Sequence, residues 1–140
     1  MSYPGSCLCG AVRFEVDQFD QRVAHCHCSM CRRFHGTGFA TIAGVSRRYF
    51  RFVEGETELN HYTAENETVR SFCKHCGASL FFATPRGDPD SVEIALGAFT
   101  CDIPVEPDAH IFVGSAANWT LRADGLPQFE AGRDSRRVDL

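Results

Sequence analysis

The sequence lacks several features that would assign it to common functional classes. It has no excess of basic residues, because 14 Lys and Arg stand against 18 Asp and Glu and give a formal net charge of −4. Proteins that bind nucleic acid through its phosphates need a basic face, so we expect no nucleic-acid partner. No stretch approaches the roughly 20 consecutive apolar residues of a membrane helix, so we expect no membrane partner.

The N-terminal residues also lack the pattern of a secretory signal. No basic segment followed by an apolar one opens the chain, so we expect a cytoplasmic protein. The sequence has no internal repeat and no low-complexity run, which predicts a single domain over residues 1–140 with a core at about residues 5–130. The charged residues from Gly132 to Leu140 are expected to fray.

Short runs of alternating or apolar residues, separated by turn residues, predict an antiparallel, mainly β fold. Helix signals are weak, and we predict only a single turn from Ser29 to His35. The predicted strands are Ala11 to Val16, Arg22 to Cys28, Phe39 to Ile42, Tyr49 to Val53, Leu59 to Thr63, Thr68 to Phe72, Ala78 to Phe82, Val92 to Leu96 and Ile111 to Val113.

What the sequence does have is an unusual number of cysteines, 8 in 140 residues. In a reducing compartment, closely spaced cysteines more often bind metal than form disulfides. Seven of them fall into three motifs, C-x-C at positions 7–9, C-x-C-x-x-C at positions 26–31 and C-x-x-C-G at positions 73–77. This pattern predicts zinc, with two ions per chain.

Four of these cysteines predict a closed zinc site. Two residues of a C-x-C pair on an extended strand point to the same side, and the glycine after a C-x-x-C pair permits a tight turn. The four thiolates match a tetrahedral, structural zinc site that joins two distant segments. Its predicted ligands are Cys7, Cys9, Cys73 and Cys76.

The middle motif predicts a different kind of site. Cys26 and Cys28 share a face, and Cys31 can reach back from the following turn. Three protein ligands leave one coordination position open, as in catalytic zinc sites. A fourth ligand from Cys101 or from a histidine remains possible, although His27 on a strand would face away from the metal.

Other single residues have simpler interpretations. Cys101 is expected to be a small buried hydrophobic residue. His25 is interpreted as a core or surface histidine, His75 as exposed and His110 as a satisfied structural histidine. Trp119 is expected in the core rather than beside a substrate.

The cysteine motifs and their flanking residues resemble the glutathione-dependent formaldehyde-activating enzyme family, also known by the CENP-V/GFA domain. The resemblance extends from about Gly5 to Glu130. The matching stretches are Gly5 to Val12, Cys26 to Arg33, Arg70 to Gly77 and His110 to Phe112.

The resemblance implies an Mss4-like fold of twisted antiparallel sheets around zinc. It also implies that Cys7, Cys9, Cys73 and Cys76 hold a structural zinc and that Cys26, Cys28 and Cys31 hold a catalytic one. The family reaction joins glutathione and formaldehyde as S-(hydroxymethyl)glutathione, a carbon-sulfur lyase activity.

The charge of a three-thiolate zinc site suits thiol chemistry. Because the site has a net charge of −1, its zinc ion is a weak Lewis acid and is poorly suited to forming hydroxide from bound water. It is better suited to binding a substrate thiolate as its fourth ligand. Arg32 and Arg33 are candidate partners for glutathione carboxylates, and His35 is a candidate proton shuttle. The alternative is a non-catalytic zinc module that binds thiols or a partner protein.

Overall fold

The structure is a computed structural model that describes all 140 residues, and it is mainly β, as predicted. The chain forms two compact units. The first contains Met1–Gln21 and Ala43–Val105, and the second contains Arg22–Ile42 and Glu106–Leu140. None of the helices has both the length and the apolar character required to span a bilayer.

Ten strands and one α-helix make up the regular structure, together with four short 3₁₀ turns. The strands are β1 Tyr3–Ser6, β2 Arg13–Val16, β3 Val23–Cys26, β4 Ala40–Ser46, β5 Phe50–Glu54, β6 Leu59–Thr63, β7 Val69–Cys73, β8 Ser79–Ala83, β9 Ser91–Ala95 and β10 His110–Ile111. The helix, α1, is Ser29–His35.

Every strand predicted from alternation is present, and only β1 was missed. Its sequence contains Pro4 and Gly5, which normally interrupt strands. Gly5 is required there because a Cβ atom at that position would lie 2.1 Å from the ring of Phe14. The glycine therefore lets β1 pass directly over a core aromatic ring.

The first unit contains two sets of hydrogen-bonded strands. One sheet has the order β1-β2-β5, and β4, β9, β8, β7 and β6 lie side by side in that order. Phe14 of β2 is fully buried, and its ring packs edge-on against Phe81 at 5.3 Å and Phe99 at 5.4 Å. Alternation places such apolar side chains on one face of each strand, so they meet in one core.

The second unit contains β3, β10, helix α1 and the start of β4. β10 pairs with β3 in parallel, with His110 opposite His25, so the predicted antiparallel pairing does not hold for these two strands. The prediction that the C-terminal residues fray is wrong. Val138 donates a backbone hydrogen bond to Gln128 at 2.9 Å, and Phe129 forms a bridge with Arg137.

Candidate metal centres

The first unit brings together four cysteines from two turns. Cys7 and Cys9 follow β1, whereas Cys73 is the last residue of β7 and Cys76 lies in the turn after it. The four sulfur atoms all lie within 4.8 Å of one another. The structure therefore gathers all four residues that the sequence predicts for a closed site.

Each pair of cysteines is shaped by a glycine that follows its second member. Gly10 has φ +85° and Gly77 has φ +76°, in the left-handed region that side chains disfavour. Gly77 donates its backbone N–H to the carbonyl of Cys73 at 2.8 Å, and Gly10 donates to that of Cys7 at 3.3 Å. These turns direct both sulfur atoms of a pair to one point.

The sulfur geometry fits a tetrahedral zinc ion. Cys9 Sγ lies 3.7 Å from Cys7 Sγ and 3.8 Å from Cys73 Sγ. Zinc–sulfur bonds of about 2.3 Å place the sulfurs of a tetrahedral site about 3.8 Å apart. None of the cysteines is in a disulfide.

Backbone N–H groups also favour thiolates at this site. Val12 donates to Cys7 Sγ at 3.2 Å, and His75 donates to Cys73 Sγ at 3.4 Å. Burial opposes ionisation of Cys76, but the N–H groups of Ala78 and Cys9 together with the thiols of Cys73 and Cys9 outweigh it and lower the pKa of the Cys76 thiol to about 6. Ionised sulfur is the form that binds metal.

The three cysteines of the middle motif lie where β3 ends and α1 begins. Cys26 is the last residue of β3, Cys28 precedes the helix, and Cys31 lies in its first turn. Cys26 and Cys31 are 7% and 3% exposed, whereas Cys28 is half-buried. Solvent therefore reaches this cluster mainly at Cys28.

Neighbouring thiols shift the pKa values of two of these cysteines. Contacts with the thiols of Cys26 and Cys31 lower the pKa of Cys28 below its ordinary value. Contacts with Cys28 and Cys31 raise the pKa of Cys26. Ionisation is therefore favoured at Cys28, the most exposed of the three, over Cys26.

The three residues predicted to contact substrate all lie on helix α1, but they differ in their exposure and contacts. Arg32 is half-buried, and its Nε is buried without a hydrogen-bond partner. Arg33 is exposed. His35 follows Cys31 by one helical turn on the same face, and its ring packs edge-on against Phe34 at 5.0 Å.

A group of histidines that the sequence did not connect lies in the same unit. His110 Nδ1 is 2.8 Å from His27 Nε2, and His110 Nε2 is 2.8 Å from Asp124 Oδ2. His110 is therefore a satisfied buried histidine, as predicted. Asp124 lies in a segment without regular structure, and no spacing or periodicity links it to His25 or His110.

Two predictions about single residues are wrong. Cys101 is exposed rather than buried, and Trp119 is 66% exposed rather than part of the core. Both lie in segments without helix or strand, where the hydrophobic character of a residue does not decide its burial. His75 is exposed, as predicted, and its Nε2 lies 2.8 Å from Glu58 Oε1.

The sequence of this chain is similar to those of known proteins. A putative glutathione-dependent formaldehyde-activating enzyme from Halomonas elongata is 31% identical over 126 residues, which cover 85% of this chain and 80% of that protein. A protein described as an uncharacterized lyase from Schizosaccharomyces pombe is 28% identical over 129 residues, covering 85% of this chain and 91% of the relative.

A solved structure has a similar fold. The crystal structure of a Rhodobacter sphaeroides protein superposes with a TM-score of 0.58 at 28% identity, covering 72% of this chain and 91% of the other. The family model described as glutathione-dependent formaldehyde-activating enzyme matches residues 2–115. This chain belongs to the glutathione-dependent formaldehyde-activating enzyme family.

Proposed function

We propose that this protein is a zinc-dependent enzyme of the carbon-sulfur lyase type that joins a glutathione-like thiol and a formaldehyde-like aldehyde as an S-hydroxymethyl adduct. Family membership and the names of the relatives support the reaction class. The observation that carries the proposal is the cluster of three thiols in which only Cys28 is substantially open to solvent. Such a cluster can hold an ion and leave one side for substrate.

The closed site is proposed to be structural. Cys7, Cys9, Cys73 and Cys76 would complete the coordination of one zinc ion, so no position remains for substrate. The sulfur spacing and the N–H groups directed at Cys7 and Cys73 support this assignment. Its role is to join the turn after β1 to the turn after β7.

The open site is proposed to be catalytic. Held by Cys26, Cys28 and Cys31, zinc would supply an open coordination position at which a substrate thiol is bound in its ionised form. The burial of Cys26 and Cys31 fixes two ligands in the protein interior, so substrate approaches past Cys28.

Arg32 is the better of the two arginine candidates for binding a carboxylate of the thiol substrate. Its buried Nε lacks a partner, and a buried donor without a hydrogen bond costs about 1–3 kcal/mol. A substrate carboxylate would satisfy it with a charge-assisted bond. Arg33 is exposed and would contribute only a weaker, long-range attraction.

The proposed reaction forms one carbon–sulfur bond. The thiol sulfur attacks the aldehyde carbon, the carbon–oxygen π bond breaks toward oxygen, and the thiol proton ends on the new hydroxyl group. His35 is the proposed carrier of that proton, because it lies one helical turn from Cys31 on the same face of α1. No oxidant or reductant is needed.

Glutathione and ¹³C-formaldehyde also combine without an enzyme, so the test must measure a rate. Exchange NMR measures how fast the labelled carbon moves between free formaldehyde and the S-hydroxymethyl adduct. We expect the protein to increase the exchange rate between free and S-hydroxymethyl carbon. Cys28→Ser should abolish the increase, whereas Cys101→Ser, which alters an exposed cysteine outside both clusters, should retain it. Exchange at the uncatalysed rate with the zinc-loaded protein would favour a non-catalytic zinc module that binds thiols or a partner protein.

A further inference from the structure

The second unit contains a cluster of nitrogen and oxygen ligands that the thiol chemistry does not use. One ligand atom from each of His25, His110 and Asp124 lies within 4.8 Å of the other two. His25 and His110 face each other across the parallel pair of β3 and β10. His25 directly precedes Cys26, so alternation along β3 puts their side chains on opposite faces.

Two of the three side chains are oriented by hydrogen bonds at their other polar atom. His25 Nδ1 is 2.8 Å from Thr41 Oγ1, which leaves Nε2 as its ligand atom. Asp124 Oδ1 accepts the backbone N–H of Leu126 at 3.1 Å, which leaves Oδ2. Ligating histidines in metal centres are almost always fixed in this way, and ligating carboxylates are commonly hydrogen-bonded too.

The third side chain, that of His110, follows the same rule. Its Nδ1 is 2.8 Å from His27 Nε2, so its Nε2 is the remaining ligand atom. That nitrogen lies 2.8 Å from Asp124 Oδ2. In the metal-free protein this contact is a hydrogen bond, and a bound cation would take the place of its proton. His110 is 1% exposed, whereas Asp124 is exposed, so an ion would enter past Asp124.

We propose that His25, His110 and Asp124 form a binding site for a divalent first-row transition-metal ion, separate from the thiolate sites. Two imidazoles and one carboxylate suit ions such as Zn²⁺, Fe²⁺, Co²⁺ or Ni²⁺, whereas Ca²⁺ and Mg²⁺ prefer oxygen ligands alone. The bound ion would join the irregular segment that carries Asp124 to β3 and β10. The remaining coordination positions would hold water or a small anion.

Cobalt titration tests this site in protein loaded with only two equivalents of zinc, which occupy the thiolate sites first because thiolates select zinc over two imidazoles and a carboxylate. We expect one additional Co²⁺ per chain, with weak visible d–d absorption and no sulfur-to-cobalt charge-transfer bands, because no thiolate belongs to this site. Asp124→Asn keeps an acceptor for His110 but removes the negative charge, and should weaken cobalt binding at least tenfold. The matched control is Asp102→Asn, an exposed aspartate outside the cluster, which should bind cobalt as the wild type does.

A second pair of variants tests the role of Thr41. Thr41→Val removes the partner of His25 and should weaken cobalt binding about 10- to 100-fold, and Thr41→Ser should restore it. Absence of a third binding event, affinity unchanged in Asp124→Asn, or the appearance of sulfur-to-cobalt bands would each overturn the proposal. The measurement reads metal binding rather than turnover, so it is independent of the proposed enzymatic activity.

Discussion

Cys9 and Cys73 are 64 positions apart in the sequence, and their sulfur atoms lie 3.8 Å apart. Four thiols this close together cannot all ionise without a compensating cation, because neighbouring negative charges raise one another's pKa. A divalent ion removes that repulsion and converts the cluster into a cross-link. The proposed structural zinc is therefore a long-range tie within the first unit.

Loss of one ligand should affect the two thiolate sites differently. Cys73→Ser should prevent cooperative folding or lower Tm drastically, since structural zinc in small domains contributes about 10–16 kcal/mol of apparent binding energy and whole domains are stable by only about 5–15 kcal/mol. Cys28→Ser should leave a folded protein with a nearly unchanged Tm, because its site joins residues close in sequence. Melting curves followed by circular dichroism distinguish the two, and equal loss of stability would refute the division into structural and catalytic sites.

Metal content gives a second test. In Asp124→Asn, which lacks the charged ligand of the histidine cluster, we expect about two zinc ions per chain, and about one after Cys28→Ser is added. Mass spectrometry under native conditions or elemental analysis measures both. A value of one in the Asp124→Asn protein after zinc supplementation would show that the middle motif does not hold zinc.

The two arginines of α1 should differ in their effect on thiol binding. Arg32→Gln should raise the Kd for glutathione about ten- to a hundredfold, since a hydrogen bond to a charged group contributes about 1.5–3 kcal/mol. Arg33→Gln should change it by no more than about fivefold, because exposed charges contribute at most about 1 kcal/mol. Calorimetric titration of both variants is the measurement, and equal effects would remove the distinction based on burial.

Glu93 offers a pH-dependent test of the fold. Burial raises the pKa of its carboxyl above the ordinary value of 4.5, so the folded state favours the protonated form. Below about pH 4.5 the carboxyl is protonated in both the folded and the unfolded state, so it does not lower the free energy of unfolding. As pH rises from there toward the raised pKa, the unfolded state ionises more readily and the free energy of unfolding decreases. Glu93→Gln should increase Tm by a few degrees at pH 7.5, with a smaller gain at pH 5.

The control for Glu93 is an exposed glutamate. Glu106→Gln should leave the pH dependence of Tm unchanged, because Glu106 is exposed. Melting curves of the three proteins between pH 5 and 8 provide the comparison. A gain from Glu93→Gln that does not vary with pH would mean that ionisation of this half-buried carboxyl is not its cause.

Local patterns in the sequence predicted most of the fold. Short runs of alternating or apolar residues located β6 at Leu59–Thr63 without error and the other predicted strands to within a few residues. β1 was missed because Pro4 and Gly5 hide its pattern. The parallel pairing of β10 with β3 depends on a long connection, which no local pattern describes.

The sites also differ in whether a local sequence pattern predicts them. Cysteine spacing predicted that Cys7 and Cys73 bind the same metal ion, because metal ligands come in paired motifs. The structure places their sulfurs in one cluster. The cluster of His25, His110 and Asp124 has no such motif. Its members converge only through strand pairing and the path of an irregular segment.

The central claim is that the site formed by Cys26, Cys28 and Cys31 accepts a substrate thiol as its fourth ligand. Zinc has no useful spectrum, so the test uses Asp124→Asn protein with cobalt in both thiolate sites. Adding glutathione should increase sulfur-to-cobalt absorption by about one thiolate per chain, whereas S-methylglutathione, which has no thiol, should not. The increase should weaken at low pH, where protons compete for sulfur, and vanish in Cys28→Ser. A spectrum that glutathione leaves unchanged would contradict thiol coordination and with it the proposed mechanism.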